Sequence, residues 1–239
     1  MTEDSADGRA RQTADDASGD QAIGAAGALA DPVRRRLYRF VCERGEAGRA
    51  EAAEALDLTR TLAAFHLDRL AGAGLLEVER RRLSGRQGPG AGRPAKVYRR
   101  ADREVSLHLP PREYEAAARL LAEAVERAGA EEALYAAARG EGRRRAAAGG
   151  NGGGAPRTLD ELAGAIAACG YEPTTAPGDG QVRFRNCPFR SLAAEFPPLT
   201  CGMNLELVRG MVEEWGGFSA RMAPSEGGCC VAISKNNNS

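Results

Sequence analysis

The stretch LTRTLAAFHLDRLAGAGLLEVERRR, residues 58–82, decides the architecture of the first half of the chain. It opens on Thr59, whose hydroxyl can accept one of the free amides at a helix start. Leu62, Phe65, Leu67 and Leu70 follow and are assigned to its buried side, and Gly72 and Gly74 mark its end. Leu75, Leu76 and Val78 then begin a strand. Upstream, DPVRRRLYRFVCERG (31–45) places Asp31 as an N-cap and Pro32 at the first helical position. Val33, Leu37, Phe40 and Val41 recur at helical spacing, Cys42 falls on the same apolar stripe, and Gly45 closes the helix. Residues 49–56 form a short second helix, with Asp57 and Leu58 as the turn into the third. Downstream, SGRQGPGAGRP (84–94) is too rich in glycine to be anything but a turn, and Lys96, Val97 and Tyr98 form the return strand.

Two short helices joined by a tight turn, then a basic hairpin, have the layout of a winged helix-turn-helix. A helix that enters the major groove, about 12 Å wide, must be slim and polar on its outer face. The outer face expected here carries Thr59, Arg60, Thr61, Ala64, His66 and Arg69, and the hairpin adds Arg86, Arg93 and Lys96 for phosphates or the minor groove. Charge is distributed to match. The formal net charge is +0, but residues 31–108 hold 17 Lys/Arg against 11 Asp/Glu, and residues 78–103 hold nine basic residues against two acidic ones. A polyanion is bound by local excess, not by net charge.

The rest of the 239 residues divides by composition. Residues 1–30, rich in Ala, Asp, Gly, Ser and Thr, read as a disordered tail without the basic and apolar regions of a secretory signal. Residues 109–140 contain a helix over 112–139, opened by Pro110 and Pro111, with Tyr114, Ala118, Leu121, Val125 and Leu134 on one side. Residues 141–157 include five glycines between 149 and 154 and read as a linker, and residues 158–234 as a second structured domain. The fold class is therefore α+β: an N-terminal winged helix-turn-helix domain at 31–108, a long linking helix, and a small C-terminal α/β sensor domain. Hydrophobic content of 43% suffices for cores, and no apolar run approaches the ~18 residues that span a bilayer. The expected location is the cytoplasm, and there six cysteines act as thiols or metal ligands in preference to disulfides.

In combination, DPVRRRLYRFVCERG, HLDRLAGAGLL (66–76) and GRPAKVY (92–98) resemble the ArsR-like winged-helix regulators, over about residues 31–139. The resemblance implies that the HLDRL helix is the recognition helix and that GRPAKVY is the outer wing strand. The C-terminal stretches NCPFRSLAAEFPPLTCGMNLELVRG (186–210) and SEGGCCVAIS (225–234) are similar to the sensor domain of the SufR-type, iron–sulfur-responsive branch of that group. On that likeness Cys187, Cys201 and Cys229 hold a cluster, with Cys230 or Glu195 as fourth ligand. Arg190 stands where many relatives carry His, and Trp215 stands near the position of a further cysteine.

Fe–S clusters take thiolates, usually four, and zinc takes them too, although no CxxC pair is present. Strand alternation places Cys229 and Cys230 on opposite faces, so a bend is needed for both to serve one site. The expected protein is not an enzyme but a homodimeric, double-stranded-DNA-binding transcription regulator, a repressor governed by an iron–sulfur cluster, with 109–140 as the dimerisation helix. The same residues leave open a zinc or small-ligand sensor, or a thiol redox enzyme using the vicinal Cys229–Cys230 pair. Buried apolar thiols remain the plain alternative for the cysteines.

Overall fold

The computed structural model describes residues 19–81, 94–108, 110, 112–148, 155–175, 180–225 and 228–236. Two compact units divide at Arg112/Glu113.

The first unit begins with helix α1 (residues 19–30). This corrects the expectation of disorder through residue 30: Ala22 and Ala25 are buried, because small side chains one turn apart let a helix lie close to the core. α2 (Pro32–Arg44) is capped as expected, with Asp31 Oδ1 accepting from the amides of Val33 (2.8 Å) and Arg34 (3.0 Å). A short strand β1 (Glu46–Gly48) follows, then α3 (Arg49–Ala55), α4 (Arg60–Gly72), β2 (Leu76–Arg81) and β3 (Ala95–Arg100). β1, which the sequence did not announce, pairs antiparallel with β3, giving a three-stranded sheet of order β1-β3-β2. Asp57, in the turn between α3 and α4, adopts φ 54°, a left-handed conformation that aspartate tolerates better than most residues. The core gathers Leu37 and Val41 from α2, Ala52 and Ala53 from α3, Ala63, Leu67 and Leu70 from α4, and Tyr98 from β3.

In the second unit the single helix expected over 112–139 is two: α5 (Tyr114–Ala128) and α6 (Glu131–Ala148). Gly129, at φ 60°, supplies the left-handed residue that ends α5. α6 continues through residue 148, so the first part of the expected linker is helical; Glu141 pairs with Arg144 (2.8 Å) and Arg145 (2.8 Å) and supports that extension. The glycine run at 149–154 lies outside the described residues.

Then come α7 (Leu159–Ala167), β4 (Pro173–Thr175), β5 (Gln181–Phe184), α8 (Arg190–Glu195), α9 (Pro197–Trp215), β6 (Phe218–Met222) and β7 (Val231–Lys235). The strands form an antiparallel sheet of order β4-β5-β7-β6, whose inner residues Val182, Phe184, Val231 and Ile233 share a core with Val208 and Met211 of α9. α6 and α9 run side by side in the same direction. A Cβ added to Gly142 would strike the Leu207 carbonyl, and one added to Gly210 would strike that of Arg139, so the two backbones touch. Arg139 and Arg143 both pair with Glu213 along this seam, the latter at 3.1 Å.

Candidate nucleic-acid interface and thiol cluster

α4 is fixed at its start by Thr59, whose Oγ1 accepts from the Leu62 amide at 3.2 Å. Its inward stripe is Ala63, His66, Leu67 and Leu70. His66 is therefore not on the outer face, as the sequence reading had it. It is 7% exposed, and its Nδ1 has no hydrogen-bond partner. Conversely Leu62 and Phe65, assigned to the core from their apolar character, are exposed.

Arg60, Thr61 and Ala64 line one side of a groove of about 1440 Å³, and Arg80, Lys96 and Arg49 line others. Four of the nine residues expected at the interface thus share one concave surface: Arg60, Thr61, Ala64 and Lys96. Arg69 is exposed elsewhere on α4, its guanidinium 5.9 Å from the Phe65 ring centroid. Arg86 and Arg93 lie outside the described residues.

Asp68 joins α4 to the sheet and to α3. It accepts from Lys96 Nζ (2.7 Å) and from the Tyr98 hydroxyl (2.7 Å), and Arg49 stands 3.3 Å away. Arg49 Nε also donates to the Tyr98 hydroxyl at 3.0 Å. Burial works against the Asp68 charge, but the Lys96 and Tyr98 hydrogen bonds and the Lys96 and Arg49 charges outweigh it, so the carboxyl sits below its ordinary range. Burial likewise pushes the Tyr98 phenol up to about 12. Lys96 is accordingly half of an ion pair. Arg81 and Arg99 are also paired, with Glu46 (2.8 Å) and Glu77 (2.6 Å). Among the described residues, Arg60 and Arg80 carry no carboxylate partner and are the cations of the groove available to phosphate. Arg80 was not among the residues expected at the interface; the hairpin register, which sets Arg80 opposite Lys96, brings it to the groove.

In the second unit all six cysteines of the chain except Cys42 occur, and all are free thiols. The four expected ligands lie on the segment before α8, on α9 and on the approach to β7, and they meet in pairs. Contact with the Cys187 thiol, together with burial, pushes the Cys229 thiol far up. Burial and the neighbouring Cys230, with Cys187 beyond it, push Cys201 up to about 11. The sulfurs form two adjoining pairs, Cys187 with Cys229 and Cys201 with Cys230, linked through Cys187 and Cys201. Among the described residues no three of His, Cys, Asp and Glu are drawn into one coordination sphere. The bend at Cys230 answers the alternation problem, since each member of the vicinal pair finds its own partner. Glu195, considered as a fourth ligand, pairs instead with Arg119 at 3.5 Å.

Two residues of this site carried no sequence signal. The Tyr171 hydroxyl donates to Asn204 Oδ1 (2.6 Å), and Asn204 Nδ2 donates to Cys229 Sγ (3.1 Å), all buried. Thiolates are the donors that a thiophilic metal or cluster takes, but the described residues hold these four as two pairs and not as one coordination group.

No helix of the described residues is long and apolar enough to cross a membrane. No curated protein and no solved structure matches the chain. A family model described as a helix-turn-helix domain matches residues 29–79, which span α2, α3, α4 and the first residues of β2. On that match residues 29–79 are a helix-turn-helix domain, which supports a transcription regulator that binds double-stranded DNA.

Proposed function

We propose that this protein is a cytoplasmic, dimeric winged-helix repressor whose operator affinity is set by an iron–sulfur cluster held on Cys187, Cys201, Cys229 and Cys230. The observation that carries the DNA-binding half is the groove in which Arg60, Thr61 and Ala64 of α4 stand with Arg80 and Lys96 of the hairpin. The sensing half is supported by the convergence of four thiols from three separate stretches of chain. When bound, a cluster supplies a centre that oxidation or iron shortage can dismantle. The chain's own part is to hold the sulfurs. Asn204, oriented by Tyr171, fixes Cys229 against α9, and burial keeps water from that sulfur.

Dimerisation is supported by α5. Its Tyr114, Leu120 and Leu121 are 63%, 68% and 67% exposed, an apolar stripe of the kind that a second copy covers. Paired winged-helix readers meet half-sites about one helical turn, ~34 Å, apart.

The test is iron and sulfide analysis of anaerobically purified protein, with sedimentation and a footprint upstream of its own gene. Iron and sulfide in the dimer, with protected half-sites, support the proposal. Stoichiometric zinc without sulfide replaces the cluster by zinc. A monomer that ignores DNA at low salt overturns the regulator.

A further inference from the structure

We infer that Phe65 reads thymine: its exposed ring is a hydrophobic contact for the 5-methyl group of a thymine in the major groove. The inference rests on α4 being the recognition helix. Thr61, Phe65, Asp68 and Gly72 follow one another on the side of α4 opposite the inward stripe of Ala63, His66, Leu67 and Leu70. Phe65 therefore stands at the centre of the outward face, one turn beyond Thr61, and is 54% exposed, with Leu62 beside it at 40%. Among the described residues its ring contacts are an edge-on His66 at 5.2 Å and the Arg69 guanidinium at 5.9 Å, and neither covers its face.

A bare aromatic ring in that position is a liability in water unless the surface that docks on it has an apolar point to offer. The neighbouring charges say what that surface is. Arg60, at the first position of α4, has no carboxylate partner among the described residues, and Arg69 stands 5.9 Å from the ring, so the cations along this helix are complementary to phosphate. The acidic residue on the outward face, Asp68, is tied to Lys96, Tyr98 and Arg49 and does not present a free charge. Among base edges in the major groove, the apolar point is the thymine methyl, which cytosine, adenine and guanine lack. The Phe65 ring, joined by the Thr61 methyl, matches it.

The test uses the full chain and a duplex selected by it from a random library. Each thymine of the selected core is replaced in turn by deoxyuridine, which removes the methyl and keeps the Watson–Crick pairing. The same duplexes are then measured with Phe65→Ala and Phe65→Leu, circular dichroism serving as the folding control. For the wild type, one thymine per half-site should show a roughly fourfold loss of affinity on demethylation, the worth of one buried methyl. Phe65→Ala should bind the two duplexes equally, and Phe65→Leu should keep part of the difference. Equal binding of thymine and deoxyuridine by the wild type at every position overturns the inference, and so does undiminished discrimination by Phe65→Ala. In both cases specific binding survives and α4 remains the reader. A chain that selects no sequence overturns both.

Discussion

Replacing Gly142 by alanine should destabilise the second unit, although the same exchange in an ordinary helix stabilises. In a helix interior alanine is better than glycine by about 1 kcal/mol. At Gly142 the new methyl would fall against the backbone carbonyl of Leu207 and within 3.0 Å of the Met211 amide nitrogen. Neither atom can rotate aside, so α6 and α9 must separate and lose contact along the seam. Overpacking of this kind costs about 3 kcal/mol at the upper end of its usual range. Less the propensity gain, the net loss is about 2 kcal/mol, a fall in Tm of roughly 6–10 °C for a unit of this size.

Gly164, within α7, is the control. Nothing stands within 4 Å of its added Cβ, so Gly164→Ala should raise Tm by roughly 3–5 °C. The assay is thermal unfolding followed by fluorescence of Trp215, the one tryptophan of the chain, which ends α9 and so reports on this unit. A Gly142→Ala protein as stable as the wild type, or more so, would refute direct backbone contact between α6 and α9.

Three further outcomes are expected. Arg60→Ala should weaken operator binding about tenfold and lower the dependence of affinity on salt by about one ion, read by titration at several salt concentrations; unchanged affinity removes Arg60 from the interface. Cys187→Ser should lose iron and sulfide on anaerobic purification while DNA binding at low salt persists, and full iron content in that variant would sink the ligand assignment. Glu213 is held down to about 2 from its ordinary 4.5, chiefly by the Arg139 hydrogen bond with help from Arg143. A carboxyl depressed on folding stabilises fully above its ordinary value and loses that contribution as pH falls through the folded one. The urea midpoint should therefore drop between pH 4.5 and 2, and Glu213→Gln should flatten that drop.

The capping and turn signals of the N-terminal half were legible because they are local: Asp31, Thr59 and Gly45 each act on neighbouring backbone. The facing of α4 was only half legible. Apolarity alone drew Leu62 and Phe65 inward, whereas the spacing Ala63, Leu67, Leu70 carries the true stripe and takes His66 with it. Residues 19–30 have the composition of a solvated tail, and only tertiary contact at Ala22 and Ala25 distinguishes them. Glycines at 142 and 210 read as helix weakeners until the partner helix shows why they are small. The approach of Cys187 to Cys229 and of Cys201 to Cys230 depends on α9 packing against the sheet, which spacing along the chain does not encode.

The knot of Asp68, Lys96, Tyr98 and Arg49 has a mechanical consequence. It rivets the reading helix at mid-length to the middle strand of its sheet and to the helix before it, so α4 cannot swivel or slide without rupturing several bonds at once. An incoming signal would thus move each head as a solid piece. In the proposed dimer what remains adjustable is the pitch at which two such heads are held, and an operator lengthened by half a turn should be rejected as firmly as one with the wrong bases.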